Sequence, residues 1–278
     1  MYKLVLSDLD ETLIVNHRVP EFNQKAVLKA REKGVKFVVC TGRSQMMIDD
    51  ILRDLSTYDQ KEEYSICFNG GLVMENKNKR ILHFHPLDYK KAEIIHREGI
   101  RRGLCIILFT IDHCFLIHPI ESEIQRKIAQ KAAYTIIEDD DFTRFKDKKI
   151  AKILLVKDDM DYLKQLRDEV GPLVEGVELS FSSNRYMECT SEGVNKGEGL
   201  RWLADYLHID IKDTIAIGDN YNDVTMLECA GIGACVSSSN DDIKAISDYI
   251  CQHDYGDGAV KEVLEKFISG ECVWHTSW

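Results

Sequence analysis

The feature that most constrains this chain is a short apolar run cut off by two aspartates. Tyr2 to Leu6 reads as a buried strand, and Ser7-Asp8-Leu9-Asp10-Glu11-Thr12 follows at once. In an open parallel sheet, ligands bind just past the carboxyl ends of strands, and Asp8 and Asp10 fall there. Residues two apart in extended chain point the same way. If the extension persists through Leu9, both carboxylates face one pocket. Two anions in one pocket repel, so a cation, a shared proton or a hydrogen-bond network must offset them.

The pattern repeats down the chain. Phe22 to Lys33 has helical spacing and stops at Gly34, a favourable residue after a helix. Val35 to Cys40 reads as a second buried strand, ending at Thr41-Gly42-Arg43, and Met46 to Leu55 reads as a helix. Strand, helix, strand, helix is the signature of a parallel α/β sheet. Ser65 to Phe68 is expected as a strand. Leu72-Val73-Met74 and Ile81 to Phe84 are expected to pair as a hairpin after the turn Asn69-Gly70-Gly71.

From Pro86 to Tyr186 the order changes. Helices are expected at Tyr89–Arg102, Ile124–Ala133 and Met160–Val170. Strands are expected at Leu104–Leu108, Cys114–Ile117, Ile150–Val156, Val177–Phe181 and Arg185–Glu188. Grouped strands between helices indicate an α+β module. Alternation then resumes: helix from Lys196 to Tyr206, strand from Thr214 to Ile217, and the loop Gly218-Asp219-Asn220-Tyr221-Asn222-Asp223. Helix Val224–Ala230, strand Ile232–Val236, helix Asp241–Ile246, a short strand within Asp248–Cys251 and helix Val260–Phe267 follow. The expected division is therefore 1–85 and 187–278 as one domain, with 86–186 inserted. Trp274 and Trp278, in the tail, carry no functional signal.

Composition narrows the function classes. At 278 residues, one or two domains are expected. The formal net charge of −11 argues against nucleic acid or an anionic membrane as the main partner. It does not exclude a phosphorylated substrate, because a local cation overrides the global sign. No run approaches ~18 apolar residues, so neither a signal peptide nor a membrane span is expected. The nine cysteines are odd in number and none are spaced C-x-x-C. Core thiols in a reducing cytoplasm are the expected reading.

Four loops can share one edge of the sheet: Asp8-x-Asp10-x-Thr12, Thr41-Gly42-Arg43, the helix start at Lys196, and Gly218-Asp219-x-x-Asn222-Asp223. Asp8, Asp219 and Asp223 are hard oxygen ligands suited to Mg²⁺. Thr41 and the amides after it can bind phosphate at a helix start. Lys196 can neutralise a transferring phosphoryl group. Gly193 to Gly197 is no Walker loop, since no Ser or Thr follows the lysine. The 219–223 loop lacks the Gly and the final Glu of a calcium loop. His83 and His85 fit a hairpin surface better than a metal site. Arg43 is read as a local pairing residue, and Arg185, Tyr186, His113 and His118 as candidate specificity contacts.

These four motifs, in this order and around an insertion of this size, resemble the haloacid dehalogenase superfamily, in particular its Cof-like (type IIB) phosphatases. The resemblance spans essentially the whole chain. It implies an α/β, Rossmann-like core with a parallel sheet plus an inserted α+β cap that sets substrate specificity. Asp8 then corresponds to the nucleophile that accepts the phosphoryl group, and Asp10 to the general acid/base, its main-chain carbonyl also on Mg²⁺. The Leu9 amide, Thr41, Gly42 and Asn222 correspond to phosphate contacts, Lys196 to the charge stabiliser, and Asp219 and Asp223 to the rest of the metal site. Glu11 departs from the family, which most often has Gly there.

The function implied is Mg²⁺-dependent hydrolysis of a small phosphorylated metabolite, such as a sugar phosphate, in the cytoplasm, by a monomer or homo-oligomer. A sugar phosphomutase shares the motifs. A non-enzymatic phospho-ligand binder would have no need of Asp10.

Overall fold

The alternation of buried strands and helices produces the expected α/β architecture. The computed structural model describes residues 1–129 and 133–270, which form two compact units, 1–84 with 195 onward, and 85–194. In chain order the first unit begins with β1 (Leu4–Ser7), α1 (Glu21–Glu32), β2 (Lys36–Cys40), α2 (Asp49–Asp54), β3 (Tyr64–Cys67), β4 (Leu72–Glu75) and β5 (Arg80–Phe84). The second contains α3 (Tyr89–Arg101), β6 (Cys105–Thr110), β7 (Cys114–Ile117), α4 (Glu121–Ala129), β8 (Thr135–Ile137), β9 (Ile150–Val156), α5 (Met160–Val170), β10 (Val177–Ser182) and β11 (Tyr186–Ser191). The chain returns to the first unit with α6 (Lys196–Tyr206), β12 (Thr214–Gly218), α7 (Val224–Cys229), β13 (Ile232–Cys235), α8 (Asp241–Ile246), β14 (Tyr249–Ile250) and α9 (Ala259–Leu264).

The first unit's sheet runs β14-β13-β12-β1-β2-β3-β4-β5. Pairing is parallel from β14 through β3, and antiparallel between β3 and β4 and between β4 and β5. Leu4, Val5 and Leu6 are fully buried, which is why β1 reads as an unbroken apolar run and not as an alternation. Register places the site. Ser7 pairs with Ile217 of β12 and Val39 of β2. The loops after all three strands therefore start at the same sheet edge.

The second unit is a six-stranded sheet, β10-β11-β9-β6-β7-β8. Its core joins Ile95 of α3 and Leu163 and Leu166 of α5 to Ile106, Leu108, Ile153 and Leu155 of the sheet, with Phe142 and Phe145.

Several boundaries differ from the sequence reading, each for a local reason. A boundary at 186/187 would cut β11, which pairs with β9 and β10, so the chain rejoins the first unit only at Asn195. The helix expected from Met46 begins at Asp49, because the Met47 amide closes a turn on the Ser44 carbonyl. α4 starts at Glu121, and Ala133 lies outside it; residues 130–132 are outside the described residues, as are Trp274 and Trp278. β8 escaped the sequence reading because three residues are too few to show a period, yet it pairs in parallel with β7. The eight cysteines among the described residues are free thiols. No described helix is long and apolar enough to cross a membrane.

Phe145 is 1% exposed and packs its ring 5.1 Å from that of Phe115 and 5.2 Å from that of Phe142. Phe145→Ala should cost the second unit about 3–5 kcal/mol. Hydrogen exchange should then speed up across β6 and β9 while β1 and β12 amides keep their protection. Unchanged exchange in β6 and β9 would show that this ring cluster does not hold the unit together.

Candidate active site

Asp8 is positioned by β1. Its amide donates to the Ile217 carbonyl at 2.9 Å, continuing the β1–β12 ladder one residue past the strand. The expected extension then fails. The Leu9 carbonyl accepts from the amides of Leu13 and Ile14, both at 3.0 Å, so the chain bends at Leu9. Asp8 and Asp10 consequently part company. The Asp8 carboxylate turns inward and is 6% exposed. The Asp10 carboxylate is exposed and held in a two-pronged ion pair with Arg43, with Arg43 Nε at 2.9 Å from Oδ2. Arg43 is thus a pairing residue, and its partner is Asp10.

Lys196 opens α6 and is completely buried. Its ammonium donates to Asp8 Oδ1 and, at 2.5 Å, to Asp223 Oδ1. The second oxygen of Asp223 accepts from the amides of Asp219 (3.0 Å) and Asn220 (3.1 Å), closing the loop after β12. A Cβ on Gly218 would lie 2.5 Å from the Asp223 side chain, so this closure requires glycine there. Asp219 completes the cluster, and Thr12 Oγ1 donates to its Oδ1 at 2.7 Å.

Carboxylate oxygens of Asp8, Asp219 and Asp223 come within 4.8 Å of one another. The donor set is three hard oxygens with one ammonium, which leaves excess negative charge when all are ionised. That chemistry fits a small divalent cation. The electrostatics follow from the crowding. Burial, reinforced by Asp223, pushes Asp219 up to about 7 against the opposing Thr12 bond. Burial and the two neighbouring carboxylates raise Asp8 well above the usual range, against the pull of Lys196. Burial disfavours the Lys196 ammonium, but Asp223 and Asp8 outweigh it and hold it protonated.

The other expected residues lie close by in the first unit. Thr41 is buried; its amide donates to Ile66 O at 2.9 Å, and its hydroxyl accepts from the Arg43 amide at 3.1 Å. Gly42 follows. Leu9 is fully buried, and Asn222 is exposed on the turn that closes on Asp223. Thr12, which in the sequence stands only as part of a motif, is a direct partner of a site carboxylate. Glu11, the departure from the family pattern, has φ of +59°, a left-handed conformation that favours glycine.

In the second unit the four candidate contacts are engaged internally. Arg185 and Tyr186 reach the buried Glu123, at 3.5 and 2.8 Å. His113 Nε2 lies 2.8 Å from Thr135 Oγ1, and His118 Nε2 lies 2.6 Å from Asp140. His83 stacks on Trp202 at 5.0 Å, whereas His85 Nε2 lies 3.2 Å from Ser191 Oγ.

A family model for haloacid dehalogenase-like hydrolases matches residues 5–264. The chain belongs to this family. The hydrolase is 26% identical over 262 residues to a phosphoglycolate phosphatase of Methanobrevibacter smithii, covering 94% of this chain and 96% of that one. It is also 26% identical to a 5-amino-6-(5-phospho-D-ribitylamino)uracil phosphatase of Bacillus subtilis, covering 97% and 99%. Its fold matches a haloacid dehalogenase-like hydrolase from Bacteroides thetaiotaomicron with TM-score 0.85 at 24% identity, over 96% of this chain and 99% of that one. A subclass IIB sugar phosphatase gives TM-score 0.80 at 20% identity, covering 95% and 98%.

Two outcomes follow from the crowded charges and the bent loop. Between pH ~4 and ~7 native Asp219 holds a proton that the unfolded chain, near the ordinary value of 3.8, has lost. In the metal-free hydrolase Asp219 therefore contributes stability that is lost as pH rises through that window. Asp219→Asn should flatten that fall, raise the metal-free melting temperature at pH 8 and shrink the stabilisation by added MgCl₂. A melting temperature that falls, with an intact Mg²⁺ shift, would remove Asp219 from the cluster. Glu11→Gly should relieve left-handed strain of about 1–2 kcal/mol and raise the melting temperature slightly. A lower value would show that Glu11 is held by contacts that outweigh the strain.

Proposed function

We propose that this hydrolase is a Mg²⁺-dependent phosphatase that cleaves small phosphomonoesters, such as sugar phosphates, through a phosphoryl group carried on Asp8. The observation that carries the reading is the fully buried Lys196 ammonium held between Asp8 and Asp223 where β1 and β12 end. A phosphate ester brought there meets a carboxylate oxygen and a fixed positive charge together.

Asp8 Oδ attacks phosphorus in line; a P–O bond to the carboxylate forms and the ester P–O bond breaks. Asp10 gives its proton to the departing alkoxide. Asp10 then takes a proton from the water that attacks the aspartyl phosphate, freeing inorganic phosphate and regenerating Asp8. Lys196 stays protonated and offsets charge on the phosphoryl oxygens. Thr41, Gly42, Asn222 and the Leu9 amide bind those oxygens. Asp8, Asp219, Asp223 and the Asp10 carbonyl would hold Mg²⁺, which supplies further positive charge against the phosphoryl group when bound. Asp10 must exchange its Arg43 partner for the leaving group, which its exposed position permits.

We assign substrate selection to the 85–194 unit, as a cap. The related phosphatases are named for chemically unlike phosphomonoesters, so small phosphomonoesters as a class are the proposed substrates. Their names also favour water over a second sugar as acceptor. Free thiols, seven of the eight described ones buried, support a reducing, cytoplasmic setting.

Asp8→Asn should abolish turnover. Asp10→Ala should lose about 10²–10⁴-fold on alkyl phosphates, yet still be phosphorylated by p-nitrophenyl phosphate, whose leaving group needs no proton. Without its base the phosphoenzyme should accumulate, giving a burst of up to one p-nitrophenol per site. Mass spectrometry after acid quench should find the phosphate on the Asp8 peptide. Equal, modest losses on both substrates with no burst would refute the paired-aspartate mechanism.

A further inference from the structure

One turn outside the four motifs ties three of the site loops together. After β3 the chain passes through Phe68, Asn69 and Gly70. Phe68 and Asn69 both take left-handed φ, 51° and 52°; asparagine adopts it readily, but a bulky residue such as Phe68 keeps it only where the surroundings impose it. The Phe68 amide donates to the Arg43 carbonyl and the Asn69 amide to the Thr41 carbonyl, each at 3.0 Å. Gly70, at φ +98°, lies so near the residue before Lys196 that a Cβ would stand 2.1 Å from the Asn195 carbonyl oxygen. The turn is thus clamped to the Thr41-Gly42-Arg43 loop on one side and to the start of α6 on the other.

The Asn69 side chain reaches the third loop. Its Oδ1 accepts from Asn222 Nδ2 at 3.5 Å, the outer limit of a hydrogen bond. The same carboxamide lies against the Gly42 α-carbon: a Cβ there would sit 3.0 Å from Oδ1 and 3.3 Å from Nδ2. Gly42 and Asn222 are both assigned above to phosphoryl oxygens, and the Asn69 side chain lies beside both.

We propose that Asn69 is a positioning residue for phosphate binding, its carboxamide fixing Asn222 and the Gly42 backbone in one cradle; the proposal rests on the phosphatase reading. The competing explanation is that Asn69 is present only because asparagine tolerates a left-handed φ. Asn69→Gly separates the two, because glycine satisfies the turn and removes the carboxamide. Asn69→Asp keeps size and turn preference but places an anion beside the cradle.

The test uses the full-length, Mg²⁺-loaded protein, with inorganic phosphate and orthovanadate as inhibitors of p-nitrophenyl phosphate hydrolysis. Asn69→Gly should keep its melting temperature while Ki for both anions and KM rise about five- to tenfold, the loss of one hydrogen-bonded position. Its kcat should change far less. Asn69→Asp should weaken both anions further, on the order of 100-fold, through like-charge repulsion. Wild-type Ki values in Asn69→Gly, or equal Ki values in the two variants, would overturn the proposal. If the wild type hydrolyses no phosphomonoester, the phosphatase reading fails. Calorimetric titration of wild type and Asn69→Gly with inorganic phosphate then decides the role of Asn69 separately: weaker binding supports it, and equal binding refutes it.

Discussion

The buried Lys196 ammonium is the interaction on which the rest of the first unit depends. Burying a charge is costly unless it is paired and hydrogen-bonded. Lys196 meets that condition with Asp8 and Asp223, which arrive from sequence positions 188 and 27 residues away. The pairing therefore fixes three elements at once: the end of β1, the start of α6 and the loop after β12. Removing the lysine would leave carboxylates buried beside each other with no counter-charge. Removing Asp223 would in addition free the amides of Asp219 and Asn220 that its second oxygen holds. The loop would then lose the shape that presents Asp219.

The parallel sheet supplies the precision this arrangement needs. Register between β1, β12 and β2 is set by buried residues on both faces, and a slip of one residue would move every side chain to the opposite face. Asp8, Asp219 and Thr41 each lie one residue beyond a paired position. Their spacing follows from the ladder and not from loop sequence. That leaves the loops free to carry strain, as they do at Glu11 and Phe68.

This division of labour also explains what was legible in the sequence. The strands and helices of the first unit were readable because burial on both faces leaves unbroken apolar runs, and because each run stops at a polar or glycine residue. Asp8, Asp219 and Asp223 were readable as one group for the same reason, since strand ends share an edge, whereas Lys196, at a helix start, joined them through the order of the four motifs. The separation of Asp10 from Asp8 was not. It depends on Leu9 accepting bonds from Leu13 and Ile14, and no two-residue periodicity reports a bend. Nor could the extent of the second unit be read, because β11 runs on through Ser191 by pairing with β10, and nothing in the letters after Glu188 marks that continuation. Asn69 was hidden by its own ordinary role: Asn-Gly-Gly announces a turn, and nothing in the letters says what the turn leans on.

A second buried lysine shows what sets the first one apart. In the 85–194 unit, Lys152 Nζ lies 2.6 Å from Glu188 Oε2, and Ser182 donates to the other carboxylate oxygen. Burial works against the Glu188 anion, but Lys152 and the hydrogen bonds outweigh it and hold Glu188 below its ordinary value. Around Lys196 the balance has the opposite sign, and burial together with neighbouring carboxylates raises Asp8 and Asp219. Both are buried lysine–carboxylate contacts with good geometry. In one, a single carboxylate is matched by the Lys152 ammonium and the Ser182 hydroxyl, with Lys127 also near. The other gathers three carboxylates about one ammonium, more negative charge than folding alone would select. On the proposed phosphatase reading, a divalent cation and an electron-poor phosphoryl group would offset that surplus. The same contact type thus gives opposite carboxylate shifts in the two units, and the crowded one in the first unit is the one to which the proposed chemistry is assigned.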